Sequence, residues 1–258
     1  RWANKHTLAI CSSYSGNTEE TLNVFEQLRA TGAKIVCVTS GGKLLELAKQ
    51  HGLDYVQVPG GWSSPRACLG YSVVAQLAVL RGAKLIGSRI FRQIEAGRKL
   101  LVHDQDDIRK RAQKIAFFLA DKTPVLYCAD TSEAVAVRWR QQINENAKML
   151  CWHHVLPEMN HNELVGWRAV RPDVAAVWLR HRADHERTAV RLNIVKEIVE
   201  HLAGASIEVY SKGKTPAENM LYLVHLGDWM SFHLAQARRV DPVEINVIEY
   251  LKNELAKI

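Results

Sequence analysis

Thr7-Leu8-Ala9-Ile10-Cys11-Ser12-Ser13-Tyr14-Ser15-Gly16-Asn17-Thr18-Glu19-Glu20-Thr21 decides how the rest of the chain is read. An apolar run of strand character passes through a turn of hydroxyls and one glycine into a helix that begins near Asn17. Strand, turn and helix N-terminus together aim unpaired backbone N–H groups and the positive end of the helix dipole at one point. Ser13, Ser15 and Thr18 add side-chain donors there, and Gly16 lets the backbone turn sharply beside a ligand. The segment lacks the GxxxxGK pattern of a nucleotide P-loop, so a small phosphorylated metabolite suits it better than a nucleotide. The same residue types also cap helices with no ligand present, and the local signal leaves both readings open.

Working outward, Leu22, Phe25 and Leu28 share one face of a helix over 17–30, and Lys34–Thr39 reads as a buried strand. Ser40-Gly41-Gly42 breaks the chain, a second helix spans about 44–51, and Asp54–Val58 reads as a third strand. Strands alternating with helices over short connections predict a parallel, helix-covered α/β sheet, whose ligands bind beyond the carboxyl ends of the strands. Pro59-Gly-Gly-Trp-Ser-Ser-Pro-Arg66 is a loop, followed by an apolar helix over 67–80. Arg66, a cation at a helix start, faces either water or an anion.

A polar helical stretch over 87–120 reads as a connector, and a second αβα unit follows it. Its expected strands are Pro124–Cys128, a short segment near 152–156, Val174–Leu179 and Ile207–Tyr210; its expected helices span 132–148, 186–202, 217–238 and 243–256. The expected division is therefore a first subdomain over 1–120 and a second over 121–258. The chain opens on Arg1 rather than Met and its first strand starts almost at once, which reads as an N-terminally incomplete first subdomain.

With 258 residues, 47% of them hydrophobic, the chain can build real cores. No apolar run approaches the roughly 20 residues of a membrane span, so a soluble, cytoplasmic protein without a membrane partner is expected. Five cysteines with no CxxC pair fit reduced core thiols. The net charge of +7 is scattered, without the dense basic stripe that nucleic acid requires; it suits a pocket that attracts anions.

Glu145 lies between Asn144 and Asn146 near a helix end, and His161 lies between Asn160 and Asn162. Flanking amides can fix a carboxylate and an imidazole by hydrogen bonding without adding charge, as a general base and acid require. Asn-rich turns are also ordinary turns. His153, His154, His161 and Glu163 invite a metal reading, but no HExxH spacing occurs, and surface or packing roles are expected instead.

Taken together, Ser12–Thr21, Pro59–Tyr71, Asn144-Glu-Asn146, Pro157-Glu-Met-Asn-His-Asn-Glu163 and Leu226-Gly-Asp-Trp-Met-Ser231 resemble the bifunctional phosphoglucose/phosphomannose isomerases of the sugar isomerase (SIS) domain superfamily. The resemblance runs from about Thr7 to Leu255. It implies two αβα SIS subdomains, a homodimer with shared active sites, and interconversion of glucose 6-phosphate or mannose 6-phosphate with fructose 6-phosphate. It further implies that Ser13, Ser15 and Thr18 bind phosphate, that Arg66 lies near the sugar and that Glu145 is the base. His161 would assist ring opening and Lys252 would contact sugar hydroxyls. Base, acid and cation then cover the enediol chemistry, so no metal or other cofactor is expected. The family carries an earlier glycine-rich strand and turn, which implies a segment preceding Arg1. Val243 stands where many relatives carry threonine, which bears on how the C2 epimers are handled.

Competing readings are a sugar-phosphate sensor that binds without isomerising, an aminotransferring isomerase, and a pure interaction module. A sensor needs Ser13, Ser15 and Thr18 but not Glu145 and His161. The aminotransferring enzyme needs a glutaminase domain with an N-terminal cysteine, which this sequence does not present.

Overall fold

The computed structural model describes residues 2–255 and 257, and the chain divides into two compact units after Arg89. Both are α/β, with parallel sheets flanked by helices, as the alternation predicts.

In the first unit, β1 (Leu8–Ser12), β2 (Lys34–Thr39) and β3 (Asp54–Gln57) form a parallel sheet in the order β1-β2-β3, with Cys11 opposite Cys37 and Cys37 opposite Tyr55. The near-continuous apolar run of β2 suits a central strand covered on both faces. Because side chains alternate, Ile35 and Cys37 join Ala9 and Cys11 against Phe25 and Leu28 of α1 (Glu19–Arg29) and Leu44 and Ala48 of α2 (Gly42–Gln50). Val38 turns to the other face and packs with Val58 and with Ala75 of α3 (Leu69–Gly82).

In the second unit, α4 (Arg89–His103) and α5 (Gln105–Leu119) precede a four-stranded parallel sheet. Its strands β4 (Thr123–Ala129), β5 (Trp152–Leu156), β6 (Arg171–Arg180) and β7 (Ala203–Tyr210) lie in the order β5-β4-β6-β7. On one face Leu126, Cys128, Val177 and Leu179 meet Trp139 of α6 (Glu133–Ala147) and Tyr222, Leu226 and Met230 of α8 (Pro216–Ala237). On the other, Tyr127 and Trp178 pack with Leu192, Val195 and Val199 of α7 (Glu186–Glu200). Gly227 is required at the α6–α8 crossing, since a Cβ there would lie 2.3 Å from the Trp139 indole nitrogen. That nitrogen donates to the Leu223 carbonyl at 2.8 Å. The last helix, α9 (Asn246–Leu255), follows α8 after a short irregular stretch and buries none of its described residues.

The stretch over 87–120 is more than a connector. Ile108, Ala112, Ile115, Ala116 and Leu119 of α5 are buried in the second core, so the boundary between compact units falls after Arg89 rather than at 120. The strands β6 and β7 also extend beyond the expected spans, to Arg171 and Ala203, which pair with each other across an irregularity in the register. All five cysteines are free and buried, and burial pushes four of the thiols up: Cys11, Cys37 to about 11, and Cys128 and Cys151 to about 12. Among the described residues no helix is long and apolar enough to cross a membrane.

The α5–α8 packing makes a pH-dependent contribution to stability. Burial, with Arg109 nearby, lowers the affinity of His225 for a proton even though Asp228 opposes the shift. The Trp229 indole donates to His225 Nε2 at 3.3 Å, which favours the unprotonated nitrogen. A histidine lowered in the folded state binds its proton more tightly when unfolded, where it titrates near about 6.5. Stability is therefore full above about pH 6.5 and declines as pH falls below it. Thermal melting of the wild type between about pH 7.5 and about pH 5 is expected to show this decline, and His225→Gln to show a shallower one. His153, also lowered by burial, supplies a remaining slope of the same sign.

Candidate functional site

In the first unit the turn between β1 and α1 is closed by its own hydroxyls. Ser13 is buried, its Oγ lies 2.8 Å from Thr18 Oγ1, and it accepts the Gly16 N–H at 3.1 Å. Ser15 Oγ accepts the Asn17 N–H at 3.2 Å. Thr18 occupies the N-cap position of α1, but its side chain makes no capping bond, so the capping reading does not account for it. The first-turn N–H groups of α1 are left facing the turn without a side-chain acceptor from the N-cap. Glu19 and Glu20 occupy that first turn and are exposed, where they complement the helix dipole.

The loop after β2 braces this turn, a role that its reading as a simple chain break missed. Ser40 Oγ donates to the Tyr14 carbonyl at 2.7 Å, Asn17 Oδ1 accepts the Lys43 N–H at 2.9 Å, and the Leu44 N–H reaches the Gly16 carbonyl at 2.9 Å. Gly16, at φ 71°, leaves no room for a side chain, since a Cβ would lie 1.9 Å from the Gly41 carbonyl oxygen. Tyr14 ties in the following loop: its hydroxyl donates to the Pro59 carbonyl at 3.2 Å and accepts the Trp62 N–H at 3.4 Å. Arg66 follows on that loop, half-buried, in a single 3-10 turn over Pro65–Cys68.

In the second unit Glu145 is half-buried in the last turn of α6. The flanking amides fasten the helix end to the fold: Asn144 Nδ2 donates to the Met149 carbonyl at 2.7 Å, and Asn146 Nδ2 donates to the fully buried Ser231 Oγ at 2.8 Å. Earlier in the helix the Arg138 guanidinium grips Asp228 with two bonds of 2.9 and 3.0 Å, and Gln142 adds a third at 3.0 Å. Leu226-Gly-Asp-Trp-Met-Ser231 is thus the surface of α8 that fixes the end of α6, a role for which the sequence offered only the resemblance.

His161 is exposed in a 3-10 turn over Glu158–His161. The expectation that its neighbouring amides orient the imidazole is not met. Asn162 instead bridges Glu158 and the Glu163 N–H, and the His161 ring has no hydrogen-bond partner among the described residues. Glu163 and His154 face each other at 3.0 Å, and His153 lies 3.7 Å from Glu133; among the described residues no three His, Cys, Asp or Glu side chains gather as metal ligands. Lys252 is exposed on α9, and Val243 is exposed ahead of that helix.

The family model for the bacterial phospho-glucose isomerase C-terminal SIS domain matches residues 108–255. The bifunctional phosphoglucose/phosphomannose isomerase of Caldicellulosiruptor bescii is 37% identical over 272 residues, covering 100% of this chain and 78% of the relative. The protein of the same name from Aquifex aeolicus is 36% identical over 252 residues, covering 97% and 76%. Among solved structures, a glucose-6-phosphate isomerase like protein from Thermus thermophilus shares the fold with a TM-score of 0.61 at 18% identity, over 97% of this chain and 88% of that one. On the matched domain and the identity maintained along the whole sequence, the chain belongs to the bifunctional phosphoglucose/phosphomannose isomerase family.

Proposed function

We propose that this protein is an aldose–ketose isomerase that interconverts glucose 6-phosphate and mannose 6-phosphate with fructose 6-phosphate, by proton transfer through an enediol. The observation that carries the catalytic half of the reading is the fastening of α6 at Asn144 and Asn146, on either side of Glu145. A base that must take a proton from one carbon and return it to the next has to be held still relative to both.

In this reading Ser13, Ser15, Thr18 and the N-terminus of α1 bind the phosphate. His161 gives a proton to the ring oxygen as the hemiacetal opens. Glu145 then removes the proton from C2 while the C1 carbonyl oxygen gains one, leaving the enediol. Returning the first proton to C1 as the C2 hydroxyl gives up its own yields the ketose. Arg66 stabilises negative charge on the enediolate oxygens, and Lys252 contacts sugar hydroxyls. The two compact units are taken as paired SIS subdomains, and two copies of the chain form a homodimer with shared active sites. The setting is the cytoplasm, since sugar phosphates are charged and do not cross membranes unaided.

The test is a coupled assay starting from fructose 6-phosphate that reads glucose 6-phosphate and mannose 6-phosphate separately. Formation of both is expected. Binding of the sugar phosphate without turnover would instead support the sensor reading, which uses the same phosphate turn.

A further inference from the structure

His161 carries no side-chain partner of its own among the described residues, so its place is set by whatever holds its backbone. Two residues before it, Met159 is fully buried in the core on the α7 face of the sheet. Two residues after it, Glu163 is anchored into the same side of the sheet. Its Oε1 accepts the Tyr127 hydroxyl at 2.5 Å, and its Oε2 lies 3.0 Å from His154 Nδ1.

Those anchors belong to β4 and β5, adjacent parallel strands in which Tyr127 is paired with His154. Tyr127 is itself fixed. It is fully buried, stacks on Trp178 with ring centroids 4.7 Å apart, and accepts the Trp167 indole N–H at 2.9 Å. Burial and the adjacent carboxylate both push the Tyr127 hydroxyl up, so it stays a donor to Glu163. A carboxylate that accepts from two strands on one side of His161, balanced by a buried methionine on the other, is more than an exposed turn needs merely to close.

We infer that Glu163 is a positioning residue for His161, holding the 3-10 turns at Glu158–His161 and Glu163–Gly166 against β4 and β5 so that the imidazole meets the substrate in one place. The inference rests on the role given to His161 above. Glu163 takes no part in proton transfer: it acts through the backbone of the turn.

The experiment is a double-mutant cycle on the whole protein, with Glu163→Ala, His161→Ala and the pair, reading kcat and KM for glucose 6-phosphate. Glu163→Ala is expected to lower kcat by about 10- to 100-fold, the effect of misplacing a group by about an ångström, with KM changed by less than about twofold. In the His161→Ala background it should cost less than about twofold, since no imidazole remains to be placed. Glu163→Gln, which keeps an acceptor for Tyr127 and can still hydrogen-bond His154, should restore most of kcat. Tyr127→Phe provides the same cycle if Glu163→Ala does not fold.

Losses that multiply in the double variant, or a loss that falls on KM alone, would overturn the inference. The His161 imidazole resonances of Glu163→Ala, followed by NMR without substrate, separate this outcome from failure of the catalytic reading. Full activity in His161→Ala, with its resonances altered in Glu163→Ala, removes the ring-opening role and leaves the positioning intact. Unaltered resonances overturn the positioning whatever the activity.

Discussion

Glu145→Gln is expected to lower kcat for isomerisation in either direction by about 10²- to 10⁴-fold, the range that a positioned general base supplies, while fructose 6-phosphate still binds within a few-fold of the wild-type affinity. The amide has the size of the carboxylate but cannot take a proton from carbon. The helix end is held through Asn144 to Met149, Asn146 to Ser231 and Arg138 to Asp228, all of which the substitution leaves in place. The substitution should therefore leave the fold and the thermal midpoint nearly unchanged. A loss of kcat with binding retained is the signature of an interaction used in the chemical step. Equal loss of binding and turnover would point to a disrupted pocket instead. A coupled assay paired with calorimetric titration of fructose 6-phosphate distinguishes the two.

Gly16→Ala should strike the other half of the reaction. At φ 71° the new residue would sit in the left-handed region, and its Cβ would have to occupy space 1.9 Å from the Gly41 carbonyl oxygen. Neither group can yield cheaply, because Gly41 belongs to backbone that also accepts the Thr39 hydroxyl at 2.8 Å. Strain of this kind costs about 1–3 kcal/mol, and relieving it would displace the Ser13–Thr18 pair and the N–H groups beside it. KM for both aldose phosphates is expected to rise by about tenfold or more, each tenfold corresponding to about 1.4 kcal/mol of lost binding. Unfolding should occur several degrees lower, at roughly 2–4 °C per kcal/mol for a chain of this size. An unchanged KM would mean that the turn between β1 and α1 is not where the phosphate binds.

The strands that face helices on both sides were legible, since Lys34–Thr39, Pro124–Cys128 and Val174–Leu179 are apolar runs of strand length. The amino-terminal ends of β6 and β7 were not: Arg171-Pro172-Asp173 looks like a loop and joins the sheet only because Ala203 lies beside Arg171. The boundary near residue 89 was hidden by composition. In α5 the exposed faces are rich in charge, and the stripe of Ile108, Ala112, Ile115 and Leu119 gives no sign of which core it enters.

At the candidate site, the phosphate turn was legible because all of its groups are neighbours in sequence. The braces around it and around Glu145 were not. Asn17 meets Lys43, and Asn146 meets Ser231, 85 positions away, so only the folded chain shows that these asparagines hold backbone and helix. Glu163 belongs to the same class. Two residues from His161 it invited a metal reading or a surface or packing role, and its partner Tyr127 lies 36 positions earlier, inside a strand.

If Glu145 carries a proton between neighbouring carbons, as proposed, hydrogen isotope should follow it. Fructose 6-phosphate would be converted in D2O by the wild type and by Glu145→Gln, and the products read by NMR at C2. Deuterium is expected at C2 of the newly formed aldose 6-phosphate, through exchange of the protonated carboxyl with solvent, and is expected to disappear together with turnover in Glu145→Gln. Turnover with deuterium incorporation at C2 that survives in Glu145→Gln would contradict the proposed role of Glu145.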